Sequence, residues 1–329
     1  MTVTAGHRQP AASSPPDAGG VVRIRLLGRF AVDRDEQEIA LRDFGGRLAR
    51  RLLRLLTVHR GTLVPKDLIT EALWPDCAPA DAPGNIEVLV SRLRRAVGDR
   101  ALIRTGPGGY VLADGGRCWV DAEAFLAEVR AGRSTLAACP AEALASFRTA
   151  LDVWRGEPLP EDIYAEWAQA DRRHLSMSHL EALDGAATAA LESAGAAAAA
   201  EAACWAGQAL AAEPLRESSA VLLVRAIAAG GDRAGALAAF DEYRGRLAAE
   251  TGLEPTPLAH EIRQRILAGR AGPMAGPVAR PARPAGSPPD HGEPLLGRER
   301  ECAAIADLAA GHGRRVALVT GPSGIGKSA

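Results

Sequence analysis

The chain has 329 residues, and 47% of them are hydrophobic, which is ordinary for a globular protein of two or three domains. Its net charge of −1 conceals an asymmetry, because residues 21–113 hold 16 Lys and Arg against 11 Asp and Glu, a balance compatible with nucleic-acid binding by this part. Five widely separated cysteines without a C-x-x-C pair indicate neither a disulfide framework nor a zinc cluster. The sequence indicates no signal peptide and no bilayer-spanning apolar run, so we expect a cytoplasmic protein without a membrane partner.

The first elements in chain order are a tail and a small sheet. Residues 1–20 are rich in Pro, Ser, Gly and Ala and are predicted to be disordered. From Val22 onward, apolar residues alternate with arginines, a pattern typical of a half-buried strand. Short strands around 30–32 and 39–41 are expected to complete an antiparallel sheet.

Two helices are predicted next. The first covers 46–59 and is stopped by Gly61, and the second runs from Pro65 to Trp74 with its proline near the first turn. The inner face of the first helix consists of Leu48, Leu52, Leu55 and Leu56. The chain is then expected to be broken, before a third helix, by Pro75, Pro79 and Pro83.

The third predicted helix has one apolar side and one polar side. Apolar residues recur at helical spacing at Ile86, Leu89, Val90, Leu93, Ala96 and Val97. The opposite side carries Val88, Ser91, Arg92 and Arg95. Gly98 ends the helix, and 103–112 predicts a strand, a Gly-Pro-Gly-Gly turn and a second strand. Such a helix followed by a β-hairpin is what a winged helix needs to enter a DNA groove.

From Cys118 to Gly269 the pattern is wholly helical. The predicted helices span 121–131, 141–154, 163–194, 200–212, 216–229, 233–251 and 257–268. A small-residue pattern in the sixth helix is similar to the interlocking faces of tetratricopeptide repeats, and it consists of Ala234, Ala238, Ala239, Phe240 and Tyr243. A long helical array of this kind usually offers a surface to another protein.

The last part of the chain begins with a Pro- and Gly-rich linker at 271–293. A buried strand at 315–320 then runs into the sequence G-x-x-x-x-G-K-S, a phosphate-binding loop. Its candidate nucleotide-binding residues are Gly321, Gly324, Gly326, Lys327 and Ser328. Because the chain ends at Ala329, we expect 294–329 to be the incomplete start of a P-loop NTPase domain. ATP and Mg²⁺ are therefore expected of a longer parent protein, and this chain is expected to lack a cofactor and enzymatic activity.

The order of these segments resembles the Streptomyces antibiotic regulatory proteins, in the large form that continues into a signal-transduction ATPase domain. The resemblance covers essentially 21–329. It rests on Leu26-Leu27-Gly28, Leu68-Ile69-Thr70-Glu71-Ala72-Leu73-Trp74-Pro75, Val90-Ser91-Arg92-Leu93-Arg94-Arg95, Gly109-Tyr110-Val111-Leu112, Val120-Asp121, Trp154-Arg155-Gly156, Pro214-Leu215-Arg216-Glu217, Ala236-Leu237 and Gly252-Leu253-Glu254-Pro255.

This resemblance implies a mixed α and β fold that is mainly α. An OmpR/PhoB-type winged helix at 21–113 would be followed by an all-α bacterial transcriptional activation domain with tetratricopeptide-like helices at 118–270. The family further implies binding to direct repeats near the −35 region of a promoter as a head-to-tail dimer. It also implies recruitment of RNA polymerase and control of antibiotic genes.

Under this interpretation the DNA-facing residues can be named. Arg92 and Arg95 would face the groove, Ser91 would bond to a phosphate or a base edge, and Val88 would meet a thymine methyl group. Arg94 lies near the edge of the apolar stripe, where a phosphate or an intramolecular contact is expected. Further phosphate-binding candidates are Arg47, Arg50, Arg51 and Arg104.

Two other functions fit parts of the sequence. One is a nucleotide-dependent switch whose main activity is ATP hydrolysis, which a nucleotide-binding assay would detect. The other is a helical scaffold that binds partner proteins while the winged helix is passive. Deleting 21–113 would separate the DNA-binding role from partner binding.

Overall fold

The computed structural model describes residues 21–113, 116–193 and 195–269, which fall within one compact unit of the chain, 1–273. The predicted tail, the linker and the P-loop segment lie outside the described residues. The same holds for the candidate nucleotide-binding residues Gly321, Gly324, Gly326, Lys327 and Ser328.

A small sheet lies at the N-terminal side of this unit. Its strands are β1 (Val22–Arg25), β2 (Ala31–Arg34), β3 (Gln37–Glu38) and, after the hairpin described below, β7 (Cys118–Val120). Their order is β3-β2-β1-β7. The central strand β1 pairs antiparallel with β2 and parallel with β7, so that Ile24 lies opposite both Val32 and Val120.

Two predictions about this sheet are wrong. The third strand lies at Gln37–Glu38 instead of 39–41, because Asp35 and Glu36 adopt positive φ angles of 50° and 64° and reverse the chain earlier. The sheet is mixed instead of purely antiparallel, since Cys118–Val120 forms a strand where a helical pattern is predicted. A strand of three residues is too short for its alternation to be distinguished from the start of a helix.

Three helices and a hairpin follow the first three strands. They are α1 (Arg47–Val58), β4 (Val64–Pro65), α2 (Lys66–Leu73), α3 (Ala82–Val97), β5 (Ile103–Gly106) and β6 (Gly109–Leu112). The strands β5 and β6 form the predicted hairpin, and β4 adds to its other edge in the order β4-β6-β5.

The start of α3 differs from its prediction. Pro83 does not break the chain before the helix but lies in its first turn, where the missing N–H costs no hydrogen bond. Asp81 caps this turn, since its Oδ1 accepts a hydrogen bond from the Gly84 N–H at 2.9 Å. The predicted end is confirmed, because Gly98 adopts the left-handed conformation at φ 73°.

Besides a short 3-10 helix at Pro160–Asp162, the described residues after β7 contain seven α-helices. They are α4 (Asp121–Thr135), α5 (Pro140–Val153), α6 (Glu166–Glu192), α7 (Ala196–Ala212), α8 (Glu217–Ala229), α9 (Arg233–Thr251) and α10 (Pro257–Leu267). Each predicted helix agrees with the structure to within about one turn. No described helix is long and apolar enough to traverse a lipid bilayer.

The small-residue pattern predicted for α9 needs correction. Phe240 and Tyr243 are buried, but Ala234 and Ala238 are exposed. The inner face of α9 is instead formed by Ala236, Phe240, Tyr243 and Leu247. The tetratricopeptide-like character of the array therefore remains a prediction.

One hydrophobic core runs from the N-terminal sheet into the helical array. Its largest fully buried side chains include Phe30 beside the sheet, Phe44 before α1, Phe125 in α4 and Phe147 in α5. Because these residues belong to one contiguous cluster, the N-terminal segment and the first helices of the array pack as a single body.

Backbone groups of the loop after β1 are held by the start of α4. The Asp121 carboxylate accepts hydrogen bonds from the Leu26 N–H at 2.8 Å and the Leu27 N–H at 3.0 Å. Burial raises the pKa of Asp121, and these backbone hydrogen bonds act against that rise. Gly28 completes the contact, since its φ is 84° and an added Cβ would lie 3.0 Å from the carbonyl oxygen of Arg155. Three sequence motifs that are far apart in the chain therefore meet here.

A second polar contact joins α1 to the segment before α6. Asp162 is buried, and its Oδ2 accepts a hydrogen bond from Nε of the buried Arg54 at 2.5 Å. The Nε of Arg51 lies 3.1 Å from Asp162 Oδ1, an ion pair without hydrogen-bond alignment. The Arg54 guanidinium also lies 5.0 Å from the ring centre of Phe30. A buried carboxylate between two arginines thus fixes α1 against the array.

Replacing Asp162 by alanine leaves the buried Arg54 without its counter-ion. We expect this substitution to lower the free energy of unfolding by about 3–5 kcal/mol, measured by urea denaturation. The control Asp152→Ala removes an exposed carboxylate from α5 and should change stability by less than about 0.5 kcal/mol. Equal effects of the two substitutions would contradict the role assigned to the Asp162 ion pair.

A half-buried histidine of α6 packs against the residue that follows α5. The His179 ring stacks on Trp154 with ring centres 4.1 Å apart and planes 5° apart, and Trp154 also contacts Phe125. Burial lowers the pKa of His179 from 6.5 to about 4. The folded chain therefore holds this imidazole neutral at pH 7.

The lowered pKa of His179 predicts a pH dependence of stability. Between about pH 6.5 and about pH 4 the unfolded chain binds the proton more readily, so the free energy of unfolding contributed by His179 is lost as the pH falls. His179→Gln should flatten the difference between urea unfolding at about pH 7 and about pH 5. The control His174→Gln changes an exposed histidine of the same helix. It should show the same difference in the free energy of unfolding between the two pH values as the wild type. An unchanged pH dependence in His179→Gln would refute this assignment.

Candidate nucleic-acid interface

The outer surface of α3 is the exposed side of a helix anchored in the core. The inward side chains are buried and comprise Ile86, Leu89, Val90, Leu93 and Val97, with Ala96 half-buried. The opposite residues are exposed and comprise Val88, Ser91, Arg92 and Arg95. The predicted division of this helix is therefore confirmed. We call the four exposed residues the outer face of α3.

Arg92 is partly oriented by the turn before α1. Its Nη1 donates a hydrogen bond to the Gly45 carbonyl at 3.3 Å, and an added Cβ at Gly45 would lie 2.8 Å from Arg92 Cδ. The close approach and the φ of 77° at Gly45 both favour glycine there. Arg92 keeps further N–H donors exposed, and Arg95 has no hydrogen bond or ion pair with any residue that the structure describes.

Arg94 holds the hairpin to α3. Its Nε donates to the Ile103 carbonyl at 2.9 Å, and its Nη2 donates to Thr105 Oγ1 at 2.9 Å. Of the two contacts expected from the sequence, the structure therefore contains the intramolecular one. Arg94 therefore positions the hairpin and does not belong to the exposed outer face of α3.

The four remaining arginine candidates divide into two pairs. Arg47 in the first turn of α1 and Arg104 on β5 are exposed and have no ion pair with other described residues. Arg50 is half-buried and donates to the Leu41 carbonyl at 3.0 Å. Arg51 points to the buried Asp162 and is used in the contact with the array. Arg47 and Arg104 are thus the exposed members of this set, whereas Arg50 and Arg51 each contact another part of the fold.

Two polar contacts at α3 are absent from the sequence prediction. Arg34 of β2 donates from Nη1 to the Val97 carbonyl at 3.2 Å, which satisfies a free carbonyl at the C-terminal end of α3. Lys66 donates from Nζ to Glu87 Oε1 at 2.8 Å. The hydrogen bond to Glu87 raises the pKa of Lys66.

The described residues give no indication of metal chemistry. Within 21–113, 116–193 and 195–269 no group of three or more His, Cys, Asp or Glu side chains is arranged to hold a metal ion. Cys118 is buried in β7, and burial raises the pKa of its thiol to about 11. The chemistry that the outer face of α3 offers is hydrogen-bond donation and positive charge.

Comparison with known proteins identifies relatives of the whole described region. Residues 120–267 match the family model of the bacterial transcriptional activator domain. The regulatory protein AfsR of Streptomyces coelicolor is 29% identical over 98% of this chain and 33% of its own length. The transcriptional regulator RedD of the same species is 28% identical over 76% of this chain and 71% of RedD. The chain thus spans a third of the length of AfsR.

A solved structure supports the same relationship. The structure of Mycobacterium tuberculosis EmbR in complex with a low-affinity phosphopeptide is 25% identical in sequence to this chain, with a TM-score of 0.67. The match covers 78% of this chain and 66% of the EmbR chain. EmbR is also named a transcriptional regulatory protein. Residues 120–267 therefore carry a bacterial transcriptional activator domain, and the chain is similar to the regulators AfsR, RedD and EmbR, in agreement with the resemblance that its sequence indicates.

Proposed function

We propose that this chain is a sequence-specific DNA-binding transcriptional activator whose residues 21–113 act as an OmpR/PhoB-type winged helix. The observation that carries the proposal is the exposed outer face of α3, which presents two arginines, a serine and a valine on a helix fixed in the core. In this proposal α3 enters the major groove and the β5–β6 hairpin contacts the neighbouring backbone. The residues act by binding, and we assign no enzymatic step to them.

The proposed base contacts follow from the donors on the outer face. The guanidinium groups of Arg92 and Arg95 can each donate two parallel hydrogen bonds to O6 and N7 of a guanine, which contributes about 1–3 kcal/mol of discrimination. Ser91 offers a hydroxyl to a base edge or phosphate, and Val88 offers a methyl group to thymine. Because Gly45 already orients one N–H of Arg92, that side chain loses less rotational freedom on binding.

Phosphate contacts are assigned to the two exposed arginines outside α3. Arg47 lies at the start of α1, directly after the turn that contacts Arg92, and Arg104 lies on the hairpin that Arg94 holds. Each phosphate neutralised on B-DNA contributes about 0.9 to the slope of log affinity against log salt concentration. These contacts would position α3 without reading sequence.

We propose a partner-binding role for the helical array. The family implies recruitment of RNA polymerase and a head-to-tail dimer on direct repeats near the promoter, with antibiotic genes as targets. Support comes from the match of 120–267 to the activator domain and from relatives named as transcriptional regulators. The buried contacts of Asp121 and Asp162 support a fixed orientation of such an array relative to bound DNA.

The first test is DNA binding by the double variant Arg92→Ala/Arg95→Ala. Fragments of the promoters neighbouring the gene should bind the wild-type chain selectively, in a salt series from about 50 to 200 mM. Loss of two guanine contacts should weaken binding to the selected site by about tenfold or more and bring it close to non-specific binding. Electrophoretic mobility shift or fluorescence anisotropy measures the affinity for the selected site and for non-specific DNA.

The control removes the same amount of positive charge as the test variant, but from two arginines of the helical array. Arg130 in α4 and Arg173 in α6 are exposed and have no ion pair with other described residues. Arg130→Ala/Arg173→Ala should therefore retain selective binding. If wild type fails to bind selectively, or both double variants weaken it equally, the proposal is wrong and the helical-scaffold function gains support.

A further inference from the structure

An acidic side chain lies at the edge of the surface that we propose to bind DNA. Glu87 follows Ile86 on α3 and precedes Val88, and its side chain is 62% exposed. It lies one helical turn before Ser91 on the same side. Its Oε1 accepts a hydrogen bond from Lys66 Nζ, whereas Oε2 has no partner among the residues that the structure describes.

The lysine that holds Glu87 is itself tied to the hairpin. Lys66 is the first residue of α2, and its backbone N–H donates to the carbonyl of Gly108 in the hairpin turn at 2.9 Å. Preceding residues 64–65 pair with β6. The Lys66–Glu87 pair therefore lies between the outer face of α3 and the hairpin turn. Lys66 is only 28% exposed, so its ammonium has a restricted range of positions.

A carboxylate in this place opposes non-specific DNA binding, because phosphates repel it. The Lys66 ammonium compensates that charge and leaves one carboxylate oxygen free. In the major groove, cytosine N4 is an amino group that donates a hydrogen bond, and Glu and Asp are the side chains that accept from it. Glu87 lies on the helix that we propose to enter the groove, which also carries Arg92 and Arg95. Its Oε2 can therefore accept the hydrogen bond that the cytosine amino group donates.

We propose that Glu87 is a specificity-determining residue that reads a cytosine, with Lys66 as the residue that positions it. This inference rests on the DNA-binding function proposed above. Glu87 Oε2 accepts a hydrogen bond from the cytosine N4 amino group, while Oε1 stays bonded to Lys66. A thymine or a guanine presents acceptors at that position, which repel the carboxylate, and adenine offers its N6 amino group only beside the N7 acceptor, so cytosine is the base that the Glu87 carboxylate favours.

The test selects sites from a library of duplexes with randomised positions, using the full chain as wild type and as Glu87→Gln. The substitution keeps the shape of the side chain but replaces Oε2 or Oε1 by an amide nitrogen that cannot accept. We expect the preference for cytosine at one position of the site to fall about tenfold or more, with preferences at other positions unchanged. Lys66→Met should lower the same preference although Glu87 is intact.

The control Glu71→Gln removes one exposed carboxylate from α2 and should leave every base preference unchanged. If Glu87→Gln tightens binding to all sequences equally and alters no preference, Glu87 is only a surface charge and the inference is overturned. If wild type selects no sequence at all, the proposed DNA-binding function itself fails. Thermal unfolding of each variant separates a loss of selectivity from a loss of folding, and we expect equal midpoints for wild type and Glu87→Gln.

Discussion

The ion pair of the buried Asp162 carboxylate with Arg54 is the interaction that fixes the N-terminal segment, 21–113, against the helical array. The carboxylate compensates Arg54, which is otherwise buried without a counter-ion, and it draws in Arg51 from the next position on the same side of α1. Since α1 begins directly after the turn whose carbonyl holds Arg92, one helix connects the array to the outer face of α3. Asp121 adds a second link through the backbone N–H groups after β1.

Three groups of arginines in the N-terminal segment serve separate purposes. Arg51 and Arg54 pair with the array, Arg94 holds the hairpin, and the arginines of the outer face stay exposed. The excess of Lys and Arg over Asp and Glu in 21–113 therefore does not give the number of DNA contacts. Removing Arg54 takes away the hydrogen-bonded partner of the buried Asp162 and destabilises the fold, whereas removing an outward arginine affects mainly binding.

Much of this could be predicted from local pattern. The two sides of α3 and the glycines at the ends of the hairpin turn are visible because they depend on spacing within one element. Strand β7 was missed because its pairing with β1 joins residues that are far apart in the chain. The partner of Arg51 could not be derived, and for Arg94 the sequence left a phosphate and an intramolecular contact open. An arginine near the edge of a helix face has the same local signature whether its partner is Asp162, a hairpin carbonyl or a phosphate.

The most direct test of the account is the structure of this chain bound to the duplex that it selects. We expect the outer face of α3 in the major groove, with the guanidinium groups of Arg92 and Arg95 at base edges and Arg54 still paired with Asp162. A complex in which the outer face of α3 remains in solvent while DNA contacts another surface would contradict the account.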